Sequence, residues 1–548
     1  MTRPDYRYVP AGALFLAAAV SAGCGSRPES WDQPPSVQFA LGLSGSVVVL
    51  DEAVHAADLM SIRPGFQMAQ SRQPVGESVA NVRSSPSGDR VFVLTRGRQP
   101  RRMPSDERPK LWVYDGKGSG QLLQTYELSE ALNGLEVDPQ GRFVVIYAAG
   151  DTGSFLDNPN ELVIVDTQQP QREATETTLA NPVTRTIRSY GGNPQRLTFT
   201  PSIQVPTGQR RLLVVECDEY LSILDLDNLD RPEITVKLSE SGHVTPAGLT
   251  LTEGAPDNPD DSRIAVRAGN ANSVFLLTLA PQTKQDAPND FKIEVNIVGF
   301  STVPSDFAFV NTDGGLRLAV LRPSVHKATL VDPQTSVTTD VDMPASYGRM
   351  AVVTRQVGEA PSGGSDVALL WGGASSTASG VAFWSLGKSV GQAYRSIETL
   401  PDVAASVTDI VDVPAPHDEL KILVPTQLQG GAGRFHVLNL AQRTAAPLQT
   451  TATQLQLTVS SDGERAWFYQ EGGYNVAQVD LLNLHPTPLV LDRPIWKVFE
   501  VATLDSPTPG RALVALHRGG TLGATVLNAL VPDEAAATRY AAILQGAY

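Results

Sequence analysis

LVIVD, at residues 162–166, is a short apolar run closed by an aspartate, and it recurs along the whole chain. Copies stand as VVVLD (47–51), LWVYD (111–115), LSILD (221–225), ATLVD (328–332), FHVLN (435–439), VAQVD (476–480) and ATVLN (524–528). An Asp or Asn closes an apolar strand well because its side-chain oxygen accepts backbone N–H groups of the turn that follows. The intervals from Asp225 to Asp332 and from Asp332 to Asn439 are both 107 residues, about twice the usual spacing, so a further copy is expected in each gap. VFLLT (274–278) and VAFWS (381–385) stand at the midpoints, with Thr278 and Ser385 in place of the closing acid. Ten copies result, 41 to 64 residues apart.

A second signature precedes several copies: SSPSGDR (84–90), DPQGR (138–142) and SSDGER (460–465), each followed by another apolar run. These read as tight hairpins in which Gly supplies a positive φ. The segments resemble the hairpins of bacterial TolB-like and YVTN-like propeller repeats, relatives of WD40-like repeats. The resemblance implies four-stranded blades in which the first strand enters such a turn and the third ends near Asp. A repeat of about 50 residues matches one blade. The expected fold is therefore all-β, a β-propeller over 37–548, either as one large ring or as two. In this register the first unit lacks its first strand; the C-terminal run at 538–544 is the candidate donor of that strand, the alternative being that the helix-like run at 533–537 extends through it.

Composition agrees with many short strands and turns, since 46 Gly and 40 Pro are spread through 548 residues that are 41% hydrophobic and 18% charged. The net charge of −15 has the wrong sign for a protein that coats nucleic acid or an anionic membrane surface. No nucleic-acid partner is expected.

Arg3 and Arg7 precede an apolar stretch over 11–20, the length of a signal-peptide core and too short to span a bilayer. It ends in Ser21-Ala22-Gly23-Cys24-Gly25, which resembles the bacterial lipobox, with Ser21 where that family usually has Leu. The resemblance implies cleavage after Gly23 and lipid on Cys24. Residues 1–23 are then a signal peptide and 24–36 a polar, Pro-containing tether. Gly25 stands where the enteric sorting rule places a retaining Asp, which implies the outer membrane, with lipid as the sole membrane contact. The other cysteine, Cys217, follows the run LLVVE and reads as a buried, inert thiol.

Motifs for chemistry are scarce. The seven histidines form no close ligand pair, no G-x-S-x-G elbow nominates a serine, and no cofactor motif is present. Asp257, Asp260 and Asp261, in EGAPDNPDD (253–261), are candidate calcium ligands by residue type but lack calcium-loop spacing, and a solvated turn is the simpler reading. The segment 151–161, with Asp157, Asn158 and Asn160, is a similar case. One loop opposes the acidic average: Arg96, Arg98, Arg101, Arg102, Arg108 and Lys110, interrupted by Asp106 and Glu107. It is a candidate surface for an acidic partner, or else a plain hairpin tip.

The leading expectation is a lipid-tethered, non-enzymatic scaffold for an envelope protein or glycan. The alternative is a propeller hydrolase or lactonase with carboxylates at the channel. A quinone-dependent dehydrogenase fits less well, because Trp31, Trp112, Trp371, Trp384, Trp467 and Trp496 show no constant spacing. The anchor has a direct test. Cys24→Ala is expected to leave the protein soluble or unprocessed and to abolish incorporation of labelled palmitate; a wild type that takes up no label and fractionates as soluble contradicts the lipobox reading.

Overall fold

The closing acids do what their chemistry demands. Asp51, Asp115, Asp166, Asp225, Asp332, Asp480 and Asn528 each accept the backbone N–H two residues on, and Asn439 the one three residues on, at 2.9–3.1 Å. Strands end at or within one residue of all eight. Ser385 also ends its strand, whereas the strand through Thr278 runs on to Pro281. The three glycine hairpins share one geometry as well. Residues Ser85, Asp138 and Ser460 each donate N–H to the carbonyl five residues on, and accept from Gly88, Gly141 and Gly463, whose φ values are 67°, 69° and 69°. A side chain with Cβ rarely adopts that φ, so glycine is favoured at all three, and at Gly88 and Gly463 a Cβ would also lie 2.7 Å from Ser44 N and 2.5 Å from Pro414 O.

This computed structural model describes residues 36–150, 156–169, 182–187, 193–239, 244–253, 262–353, 366–373, 380–389, 392–393, 396–403, 406–425, 434–448, 456–505, 510–519 and 521–541. The strands form ten four-stranded antiparallel sheets, each taken in sequence order, plus one two-stranded hairpin, Lys388–Ser389 with Gln392–Ala393. They are the blades of a propeller: 37–74, 79–127, 134–186, 194–237, 246–299, 306–342, 349–399, 407–447, 456–490 and 495–540, numbered 1 to 10. Helix among the described residues is confined to three 3-10 turns.

Packing explains the continuous apolar runs. An inner strand with one solvated face alternates apolar and polar residues, but one covered on both faces is apolar throughout. In blade 2, Val91 and Val93 pack toward blade 1 while Phe92 and Leu94 pack toward blade 3. In blade 3, Val144 and Ile146 turn back to blade 2 while Phe143 and Val145 meet blade 4. Ten apolar clusters fill the molecule, and each joins two consecutive blades. The tenth joins blade 10 to blade 1 through Val47, Val49, Met60 and Ile62 against Val514, Leu516 and Val526. One closed ring of ten blades follows.

Closure differs from the strand exchange expected from sequence. Val37–Gly42 is blade 1's own first strand, paired with Ser46–Asp51, and Thr538–Tyr540 is the fourth strand of blade 10. The VVVLD copy is thus a second strand, unlike the other nine, which are third strands. Blade 1's third strand is Ala56–Arg63, stopped by Pro64 and Gly65 rather than by an acid. That displacement is why the first interval, 64 residues, is the longest. The ring is joined by side-chain packing and by a few bonds. Ala502 N–H donates to Ser44 O at 3.0 Å and Leu504 N–H to Ile62 O at 2.7 Å. Met68 N–H donates to the Tyr540 hydroxyl at 2.7 Å.

First strands of neighbouring blades approach one another around the axis, and fourth strands such as Phe291–Gly299 lie outermost with exposed residues. Because each blade is a sequential meander, second-to-third-strand loops and blade-to-blade connectors leave one face. The remaining loops leave the other.

Tyr540→Phe removes the acceptor of the Met68 amide and is expected to cost about 1 kcal/mol in denaturant unfolding, with faster hydrogen exchange at Met68. Unchanged exchange there would show that the hydroxyl is not part of the closure.

Candidate functional site

The basic loop connects the second strand of blade 2, Arg90–Thr95, to its third, Lys110–Asp115. Its base is stitched to the connector from blade 1: Arg96 N–H donates to Ser78 O at 2.9 Å and Gly97 N–H to Glu77 O at 3.1 Å. Glu107 returns the favour, accepting Glu77 N–H at 2.9 Å, while its carboxylate lies 3.7 Å from Lys110 Nζ. Gly97 has φ of 60°, and a Cβ there would lie 2.4 Å from Glu107 O, so only glycine fits this crossing.

The tip is organised by Asp106. Its carboxylate accepts the backbone N–H groups of Arg102 at 2.7 Å and Met103 at 2.8 Å. Those two bonds, reinforced by the charges of Arg98 and Arg101, hold its carboxyl below the usual carboxylate range. With the carboxylate turned inward, the arginines point outward. Arg98 is 65% exposed in its side chain and 3.8 Å from Asp106, and Arg101, Arg102 and Met103 are exposed. Arg108 faces Glu127 at 3.8 Å, and Arg96 is half-buried at the base. Arg101 and Arg102 make no ion pair among the described residues.

A second constellation escaped sequence reading. On the same face as the basic loop, at the ends of inner strands in blades 4 to 7, lie Arg196, Glu216, Arg267, Asp306 and Arg349. Glu216 is 2% exposed; the Gly248 backbone amide bonds its carboxyl, while Oε1 has no hydrogen-bond partner among the described residues. Burial pushes that carboxyl up, against the pull of Arg196 and Arg267. Asp306 accepts Phe307 N–H at 3.0 Å and Met350 N–H at 2.9 Å, and burial pushes it up too. Arg267 donates to Ala247 O at 2.8 Å and Pro304 O at 3.3 Å. Burial lowers its pKa; Asp306 and Glu216 oppose the shift, and the charges of Arg349 and Arg196 add to it. Arg196 and Arg349 are exposed.

A signal for this group existed. In the second strands, the position after the apolar run holds Thr95, Tyr147, Glu216, Arg267, Trp371 and His517 in different blades. Aligning second strands rather than third strands would have drawn attention to Glu216 and Arg267.

The other sequence candidates do not gather into a site. Cys24 lies outside the described residues, as do Asp257, Asp260 and Asp261. Asn158 caps its own loop, accepting Asn160 N–H at 3.2 Å and donating to Thr186 at 3.1 Å. His436 and His517 are buried and bonded to backbone carbonyls at 3.1 Å, with burial lowering both pKa values. Cys217 is buried, 1% exposed. Among the described residues no group of three or more His, Cys, Asp or Glu could hold a metal ion, and no helix is long and apolar enough to cross a membrane.

The class that fold and site define is a ten-bladed β-propeller with a basic loop and a charged inner rim on one face. No family model and no curated protein matches the chain. Among solved structures, it is similar to the dihydro-heme d1 dehydrogenase NirN in complex with DHE, at 12% identity and TM-score 0.38, covering 89% of this chain and 85% of that one. It is also similar to apo AztD from Citrobacter koseri, at 11% identity and TM-score 0.36, covering 83% and 95%, and to the Dos1 propeller, at 12% and 0.37, covering 71% and 90%.

Asp106→Ala removes the acceptor that folds the tip. The expected outcome is rapid tryptic cleavage after Arg98, Arg101 or Arg102 with an unchanged melting temperature, because no blade cluster includes these residues. Wild-type resistance in the variant would show that Asp106 does not organise the tip.

Proposed function

We propose that this protein is an envelope lipoprotein, held in the outer membrane through Cys24, whose propeller is a non-enzymatic binding scaffold for an acidic envelope partner. The observation that supports this reading most is the blade 2 loop. A carboxylate is spent on the loop's own backbone so that Arg98, Arg101 and Arg102 project into solvent from a base stitched to the ring. Such an arrangement suits docking, since the cations are held on a rigid support and most of their charge is unspent. In a chain of net charge −15, a local excess of arginine also steers an acidic ligand to one place. The ring itself supplies a broad face on which loops from several blades can contribute to one contact.

Replacing Arg98, Arg101 and Arg102 together by Ser tests the proposal. Stability is expected to change by no more than about 0.5 kcal/mol, as for exposed charges elsewhere. Retention of the protein on an immobilised acidic polysaccharide is expected to fall sharply. Wild-type retention should weaken with added salt, since exposed charges are screened within about 8 Å at physiological ionic strength. Equal retention of variant and wild type at low salt would remove the loop from the binding surface.

A further inference from the structure

The chain enters the ring beside the arginine loop. Ser36 leads into the first strand of blade 1 and is exposed, and its backbone is held at both polar groups. Its N–H donates to the Asp51 carboxylate at 3.0 Å, and its carbonyl accepts Glu52 N–H at 3.0 Å. Asp51 and Glu52 open the second-to-third-strand turn of blade 1. That turn is bonded to the connector leading to blade 2, where Val75 N–H donates to His55 O at 2.8 Å. The same connector carries Glu77 and Ser78, whose carbonyls accept the Gly97 and Arg96 amides at the base of the loop. One run of backbone contacts therefore joins the chain's entry to the arginine loop, all on the face from which connectors and second-to-third-strand loops leave.

The carboxylates along this path are turned to the protein's own groups. Asp51 also accepts Ala53 N–H at 3.0 Å, and Glu52 accepts from Gln38 Nε2 at 2.6 Å. Asp106 and Glu107 accept backbone amides, as described above. What blade 2 offers outward is Arg98, Arg101 and Arg102, with Met103, 61% exposed, beside them.

We propose that Arg98, Arg101 and Arg102 bind the phosphates of anionic phospholipids in the membrane that holds Cys24, so that the propeller lies with this face toward the bilayer. The proposal rests on the lipid anchor inferred above and names the acidic partner of the loop. Cys24 precedes Ser36 by 12 residues, a span of at most about 40 Å when fully extended. An anchor at that distance draws in the face that carries Ser36, and the arginines stand on that face. Guanidinium forks match phosphate oxygens, and an apolar side chain such as Met103 suits the boundary between headgroups and acyl chains. The net charge of −15 opposes this contact little, because acids more than about 8 Å from the surface are screened at physiological ionic strength. Lipid on Cys24 is then not the sole contact with the membrane.

The full-length lipidated protein, reconstituted in vesicles that carry an energy-transfer acceptor on their headgroups, tests the proposal. Donor labels are placed at Ser105→Cys, on the loop tip, and at Lys117→Cys, in the third-to-fourth-strand turn of blade 2 and so on the opposite face. Both residues are exposed, and Cys217 is buried away from the label. In equimolar phosphatidylcholine and phosphatidylglycerol, transfer is expected to be greater from position 105 than from position 117. R98S/R101S/R102S is expected to lose most of that difference while floating with the vesicles as wild type does. Vesicles of phosphatidylcholine alone are expected to have the same effect on the wild type. Equal transfer from both positions, or a difference that survives both changes, would overturn the proposal and leave the anchor standing. A triple variant that loses retention on acidic polysaccharide but keeps its transfer would assign the loop to a polymer and overturn the proposal as well. A wild type that does not float with the vesicles would overturn the anchor, and this proposal with it.

Discussion

Everything in this molecule depends on sheets that are buried on both faces. A single four-stranded meander cannot hide its apolar side chains by itself, and each blade here has two such faces to cover. Neighbours on either side cover them, so alternate residues of one strand belong to different interfaces: Val91 and Val93 to one, Phe92 and Leu94 to the other. Each such side chain removed from water contributes about 1.5–3 kcal/mol, and the contribution is lost at any open end. A ring removes the open ends. The packing of blade 10 on blade 1 is therefore a requirement of the same physics that forms every other interface, and it uses the same kinds of residue.

That constraint also places the surface features. Once the strands are fixed edge to axis, the second-to-third-strand loops emerge together on one face, and they are free to vary because the blades do not depend on them. Blade 2 uses this freedom for a long arginine loop in which the Asp106 carboxylate binds the loop's own backbone and Glu107 binds the connector from blade 1. Blades 4 to 7 carry charged groups at the adjoining strand ends. The cost of placing Glu216 and Arg267 at the end of buried strands is carried by the apolar clusters behind them, where Leu212, Val214, Ile264 and Val266 are fully buried.

Much of this architecture is legible in residue order. The apolar runs closed by Asp or Asn mark third strands because the acid makes a bond that only the end of a strand needs, and the glycine hairpins mark the turn from first to second strand. Blade 1 departs from this rule because its second strand also ends in an acid, Asp51, while its third ends at Arg63, followed by Pro64 and Gly65. Two different local stops do the same work there, and only the interval betrayed the substitution. Of the two candidate surfaces, the basic loop was visible because its charges are adjacent in sequence. The rim was not, because its five residues are spread from 196 to 349 and share a face only when consecutive blades are laid side by side.

The central claim, one closed ring of ten blades joined by side-chain packing, is tested most directly by imaging the isolated protein by single-particle electron microscopy. A single ring of ten blades is expected, with blade 10 against blade 1 and no strand passing between them. An open arc, two smaller rings, or a C-terminal strand inserted into the first blade would contradict it.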